Sequence, residues 1–248
     1  MSGKVVVITG AGTGLGRAVA RRLGADGEAM VLLGRSVAKI QAVADEIGPG
    51  ALAIGCDVAS PDAVRAAFAA IEQHHGRIDV LINNAAVFEP FLIEEASDAQ
   101  FRDTVGTNLL GPMLCARSAI PLLRRSKAGL VISVSSESVD LDMPHLVVYE
   151  ATKAGLERFT RGLRQELGDD HIRATTLRIG SLNDPDKQWD VDPETFGRFA
   201  AASSKAGFDL YAKTFSELDT IAGLVRMLID LPGDTRLDLV TLQGHRAA

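Results

Sequence analysis

Tyr149 and Lys153 stand four residues apart in the stretch Tyr149-Glu150-Ala151-Thr152-Lys153. On a helix that spacing puts both side chains on one face. A lysine charge beside a phenol favours the phenolate, so such a tyrosine can give up or take a proton near neutral pH. A tyrosine–lysine pair of this spacing is common and means little by itself. Here it has company. The serine pair Ser135-Ser136 lies fourteen and thirteen residues upstream, and the glycine-rich stretch Thr9-Gly10-Ala11-Gly12-Thr13-Gly14-Leu15-Gly16 opens the chain.

Gly10, Gly14 and Gly16 fall between a predicted strand and a predicted helix. Without a Cβ the turn can be tight and its backbone can approach a pyrophosphate, while the helix start supplies amide donors and a favourable dipole. The spacing is GxxxGxG. The second predicted strand ends in Gly34-Arg35-Ser36, where an NAD site usually carries a carboxylate for the ribose 2′-hydroxyl. A guanidinium at that place can instead hold a 2′-phosphate through two donors, which favours NADP(H) over NAD(H). The alternative is that Arg35 is a solvated residue at a helix start. Arg17, just after the last turn glycine, is placed to assist it. Asp57, in Cys56-Asp57-Val58, can accept from an adenine amino group or cap the helix that begins near Pro61, although Ser60 is the better-placed cap. Glycine turn, serine and tyrosine–lysine pair, in that order, read as a nicotinamide-dependent carbonyl/alcohol oxidoreductase.

Alternating short β-branched runs and longer helical patterns must position these groups. Strands are expected at Val5–Thr9, Ala29–Leu33, Ala51–Gly55, Asp79–Ile82, Leu130–Val134, Ile172–Leu177 and Leu237–Leu242. Helices are expected at Gly14–Ala25, Asp62–His74, Asp98–Arg124 with a bend near Gly111-Pro112, Tyr149–Leu167 and Leu218–Leu231. Such alternation implies a parallel sheet with helices on both faces. The rhythm breaks over residues 183–215, which hold Trp189, Phe196, Phe199, Phe208 and Leu210. An insertion at the carboxyl edge of a parallel sheet lies where ligands bind, so it is expected to be a substrate lid, the other reading being an ordinary surface loop with a small helix.

Composition narrows the classes. The chain has 248 residues, a hydrophobic fraction of 46% and a net charge of −6, without long blocks of like charge. That fits one α/β domain over residues 1–248 and disfavours phosphate-driven nucleic-acid binding. Cys56 and Cys115 are far apart and form no metal-ligand set; a buried, reduced pair is expected. The apolar run Val5–Ile8 is too short for a signal peptide or a membrane span, so a cytoplasmic protein is expected.

With these motifs in hand, the chain resembles the short-chain dehydrogenase/reductase family from Lys4 to about Leu242. The likeness rests on the glycine motif Thr9–Gly16, Asp57-Val58, Asn83-Asn84-Ala85-Ala86, Asn108, Ser136, and Tyr149 with Lys153. It implies a single-domain, Rossmann-like, doubly wound sheet of about seven strands. It implies cofactor contacts at Gly10, Thr13, Gly14, Leu15, Gly16, Arg35, Asp57, Val58, Asn84, Ala85, Tyr149, Lys153 and Gly180, with no metal. Asn83 and its neighbours would brace the cofactor cleft. It further implies that Tyr149 is the general acid/base and that Lys153 lowers its pKa and holds the nicotinamide ribose. Ser136 would bond the substrate oxygen as it gains charge, and Asn108 would hold a water in a proton relay to Lys153.

Three positions depart from the family pattern: Ala86 stands for a glycine, Ile179 for the proline before Gly180, and Asp184 for a threonine near the nicotinamide. Glu137, Asp140, Asp142 and His145, which border the expected substrate pocket, read as a solvated loop rather than as substrate selectors. A non-catalytic cofactor-binding sensor is the competing function, and a nucleotide-sugar epimerase or dehydratase a third. The expected partners are a small carbonyl or alcohol substrate and further copies of this chain, as a homodimer or homotetramer. Neither nucleic acid nor a membrane is expected.

Overall fold

Valine, isoleucine and leucine fill the short runs assigned to strands, and those runs meet in one sheet. The computed structural model describes residues 3–186, 191–210 and 212–245. In chain order the strands are β1 (Val5–Thr9), β2 (Ala29–Gly34), β3 (Ala51–Gly55), β4 (Val80–Asn83), β5 (Leu130–Ser136), β6 (Arg173–Ile179), β7 (Leu182–Asn183), β8 (Ser216–Glu217) and β9 (Leu239–Leu242). Seven of them pair side by side in the order β3-β2-β1-β4-β5-β6-β9, all parallel. The short β7 and β8 pair with each other.

The helices are α1 (Gly14–Ala25), α2 (Val37–Ile47), α3 (Pro61–His75), α4 (Asp98–Val105), α5 (Gly111–Leu123), α6 (Val147–Glu166), α7 (Pro193–Lys205) and α8 (Leu218–Asp230). Strand side chains alternate faces, and the two faces bury separate cores. Val5, Val7 and Val31 pack with Phe68, Cys115 and Leu163 of α3, α5 and α6. Val6, Ile8 and Leu32 pack with Val19, Val43 and Val225 of α1, α2 and α8. Strand order reverses at β1, which has β2 on one side and β4 on the other. The carboxyl ends there open into the crevice that binds ligands in such sheets.

Several elements differ from the sequence expectation. Helix α2 was not foreseen; its buried face is narrow, only Ile40, Val43 and Ala44, so its periodicity is faint. The long helix expected over 98–124, with a bend near Gly111-Pro112, is interrupted by a π turn over Gly106–Leu110, directly before that pair. Pro112 has no N–H to offer the carbonyl of Asn108, and a wider turn accommodates the missing bond. Strand β9 begins at Leu239, two residues later than expected. Among the described residues, no helix is long and apolar enough to cross a membrane. Cys56 and Cys115 are free and buried.

Candidate active site

Helix α6 begins two residues before Tyr149 and runs for 20 residues, so Tyr149 and Lys153 share its sheet-facing side. Lys153 is buried, and its Nζ donates to the Val134 carbonyl of β5 at 2.9 Å. Burial lowers its pKa to about 8. The ammonium lies 5.7 Å from the Tyr149 ring centroid. Burial pushes the Tyr149 phenol up to about 12; a hydrogen bond with Ser136 pulls it down and the Glu137 carboxylate pushes it up again. The ammonium that the sequence reading sets beside the phenol is bonded here to the Val134 carbonyl.

Asn108 sits in the π turn, fully enclosed. Its amide clasps the backbone of Val87, accepting from the N–H at 2.7 Å and donating to the carbonyl at 2.9 Å, and donates to Thr152 Oγ1 at 3.3 Å. It therefore joins the exit of β4 to α6 beside Lys153 and does not itself reach the ammonium. The π turn is what aims this side chain between the two elements.

The turn after Ser136 is only in part the solvated loop expected. Glu137 Oε1 pairs with Lys213 at 3.2 Å, and Asp140 pairs with Arg178. His145 is buried at a φ of 68°, next to Phe199. A partner cation and apolar neighbours draw Glu137 and His145 inward, whereas Asp140 and Asp142 stay exposed and match the solvated reading.

An aromatic wall flanks the tyrosine. The Phe88 ring meets Tyr149 edge to face at 5.1 Å and Phe199 of α7 at 6.4 Å. Phe196, Phe208 and Leu210 join the same apolar cluster, so the four apolar side chains singled out in the insertion converge on Tyr149. Trp189 lies outside the described residues.

The other end of the cleft is built from backbone. Gly10 has a φ of 68° and Gly14 a φ of 53°, both in the left-handed region that glycine adopts freely. A Cβ at Gly16 would collide with the Gly10 carbonyl oxygen. Asn84 holds the turn by donating to the Thr9 and Gly10 carbonyls at 2.9 and 3.3 Å. Of the group Asn83 and its neighbours, Asn84 makes these bonds, while the buried amide of Asn83 has no hydrogen-bond partner among the described residues. Helix α1 starts without a side-chain cap and without an acidic residue in its first turn, which leaves its amides for an anion.

A cavity of about 260 Å³ lies over this turn. Its walls bring together Gly10, Thr13, Leu15 and Gly16, Arg35 after β2, Asp57-Val58 after β3 and Asn84-Ala85 after β4. Ala86 also lines it, with Gly34, Cys56 and Thr107, which were not foreseen; their place at the carboxyl ends of strands and in the π turn was the available signal. Arg35 is exposed, with no partner among the described residues. Asp57 accepts from the Ala59 N–H at 3.0 Å while Ser60 caps α3, so the cap belongs to Ser60.

Three sequence-derived positions behave differently. Arg17 does not join Arg35: it forms an ion pair with Asp186, in a neighbouring cavity of about 540 Å³. Asp184 Oδ2 lies 3.1 Å from where a Gly14 Cβ would stand, so a carboxylate borders the start of α1. Gly180, reached through Ile179 at the end of β6, lies under Glu137, whose Oε2 is 2.9 Å from the place of a Gly180 Cβ. The turn, the uncapped helix and the unpaired arginine fit an adenine dinucleotide; Asp184, beside the start of α1, has the same sign as its phosphates.

Comparison with known proteins agrees with this architecture. The short chain dehydrogenase family profile matches residues 4–193. An uncharacterized oxidoreductase of Methylorubrum extorquens is 36% identical over 73% of this chain and 73% of its own. An alcohol dehydrogenase from the archaeon Thermococcus sibiricus, complexed with 5-hydroxy-NADP, superposes with a TM-score of 0.81, at 27% identity over 99% of both chains. A 3-ketoacyl-(acyl-carrier-protein) reductase from Brucella melitensis, complexed with NADH, gives 0.79 at 27% identity over 98% of both. By sequence, sheet order and the arrangement of its cleft, the chain belongs to the short-chain dehydrogenase/reductase family and is a nicotinamide-dependent oxidoreductase.

Proposed function

We propose that this chain interconverts a carbonyl and an alcohol with NADP(H) as its preferred cofactor. The observation that carries the reading is the placing of Ser136, Tyr149 and Lys153 together at one end of a cleft whose other end is the glycine turn with the unpaired Arg35. When bound, the nicotinamide supplies or accepts the hydride. Arg35 faces a 2′-phosphate with two donors, and the amides of the α1 start face the diphosphate. Tyr149 gives its proton to the carbonyl oxygen in reduction and takes it back in oxidation. Ser136, already bonded to Tyr149, donates to the same oxygen as negative charge develops. Lys153 turns from the Val134 carbonyl toward the ribose hydroxyls, and from there its charge lowers the Tyr149 pKa. Asn108, beside Thr152, holds the water that links Lys153 to solvent.

On the substrate side, Phe88, Phe199 and Phe208 offer an apolar wall, and residues 183–215 serve as the lid that carries much of it. A homodimer or homotetramer is proposed through the α4 to α6 surface, where Val105, Leu110 and Val147 are exposed. A monomer by sedimentation at micromolar concentration would overturn that assembly. The function itself is tested by titrating NADPH and NADH and then following NADPH oxidation over a broad carbonyl panel. Turnover with NADPH on at least one class is expected. Tight NADPH binding without turnover on any member would favour the sensor reading instead.

A further inference from the structure

Glu157 and Arg178 form an enclosed ion pair directly behind the reaction centre. Arg178 Nε and Nη2 donate to the two Glu157 oxygens at 2.9 and 2.6 Å, with the side chains only 13% and 16% exposed. Glu157 lies one helical turn beyond Lys153 on α6, and Arg178 stands opposite Ser135 in the β5–β6 register. Ser135 Oγ donates to Glu157 Oε1 at 2.7 Å, and Arg178 also pairs with Asp140 at the end of the 3-10 turn Glu137–Asp140. Ser136 is thus anchored on both sides. The residue before it and the turn after it are tied to the same pair, whose acid rides on the helix that carries Tyr149.

We propose that Glu157 and Arg178 are positioning residues that fix the place of Ser136 relative to Tyr149. The proposal rests on the reading of Ser136 as the donor to the substrate oxygen. An enclosed ion pair is not required for stability, since apolar residues of similar size often serve a core as well or better. What a bidentate carboxylate–guanidinium pair supplies is a fixed geometry between the elements it joins. Here it joins β5, the turn after it, β6 and α6, the elements whose relative placement sets the Ser136–Tyr149 contact.

The test uses the full chain with Tyr211→Phe, which leaves Tyr149 as the only tyrosine because the sequence has two. The protein carries 13Cζ-labelled tyrosine, and the single resonance reports the hydrogen bond at the phenol at neutral pH, with no substrate present. Ser136→Ala should shift that resonance. Glu157→Gln should shift it the same way by at least half as much, and should add nothing in the Ser136→Ala background, as coupled neighbours do. Arg178→Lys keeps the charge but loses the fork, so a smaller shift of the same direction is expected. It serves as the second measurement if the Gln variant folds poorly. An unmoved resonance in both variants, or a Glu157→Gln shift that persists in full without the Ser136 hydroxyl, would overturn the positioning role. Failure of the underlying reading looks different: Ser136→Ala would then shift the resonance yet leave turnover of a panel carbonyl unchanged.

Discussion

At the glycine-turn end of the cleft the contacts are made by backbone, and at the Tyr149 end by side chains drawn from distant elements. The turn is defined by what glycine permits: positive φ at Gly10 and Gly14, and a Gly16 whose missing Cβ leaves room for the Gly10 carbonyl. Asn84 ties it to β4 through two carbonyls. Tyr149, by contrast, meets Phe88 from the segment after β4, Ser136 from β5 and the Phe199 cluster from α7. A backbone-built site tolerates few substitutions but is set by local sequence. A side-chain-built site depends on how remote segments dock, and its chemistry shifts with them. The same contrast appears in the ionisable groups. Arg35 stands exposed over the turn, whereas burial moves Tyr149 up to about 12 and Lys153 down to about 8.

The largest effect should come from the side-chain end. Tyr149→Phe keeps the ring against Phe88 and removes the proton, so turnover should fall at least about a hundredfold while cofactor binding is retained. Measured cofactor affinity falling in parallel with turnover would mean that the two ends are not separable. Next comes the backbone end. Gly16→Ala forces the turn apart, so cofactor dissociation constants should rise at least about tenfold with the thermal transition still cooperative. Affinity within twofold of the parent protein would show that the turn yields more easily than its packing implies.

Arg35→Asp replaces a free cation by an anion. NADPH binding should weaken about tenfold, the scale of one charge-assisted bond, with NADH binding equal or better. Equal loss for both cofactors would detach Arg35 from cofactor choice. The smallest effect expected is at Asp184, whose carboxylate borders the start of α1. Asp184→Asn removes a like charge from the neighbourhood of the diphosphate, so both cofactors should bind about two- to fivefold more tightly at low salt, as for partly exposed charges. Weaker binding in that variant would show that the carboxylate orders the turn rather than repelling the ligand.

Much of this was legible in the sequence, for reasons that differ from place to place. The strand runs were readable because a parallel sheet buries both faces, which leaves near-continuous apolar stretches such as Val5–Thr9. The family followed from motif types and order, and the glycine turn from backbone sterics that act within a few residues. Helix α2 stayed hidden because three buried residues make a weak stripe. The irregularity near Gly111-Pro112 was readable from the proline, but its π form was not, because the defect caused by Pro112 is felt at the carbonyl it fails to reach.

The sequence by itself determined the sheet, the glycine turn and the helical pairing of Tyr149 with Lys153, since each depends on residues close together in the chain. Tertiary structure decided which way the Lys153 ammonium points, which of Asn83 and its neighbours bonds the turn, and that Arg17 pairs with Asp186. It also decided that Glu137 turns inward to Lys213, that Asp140 and Glu157 meet on Arg178, and that Ser135 bonds the same Glu157. Charge partners are chosen by distance and burial after folding, and residues 38 or 76 positions apart, like Asp140 and Arg178 or Glu137 and Lys213, carry no mark in the chain of the neighbour they will meet.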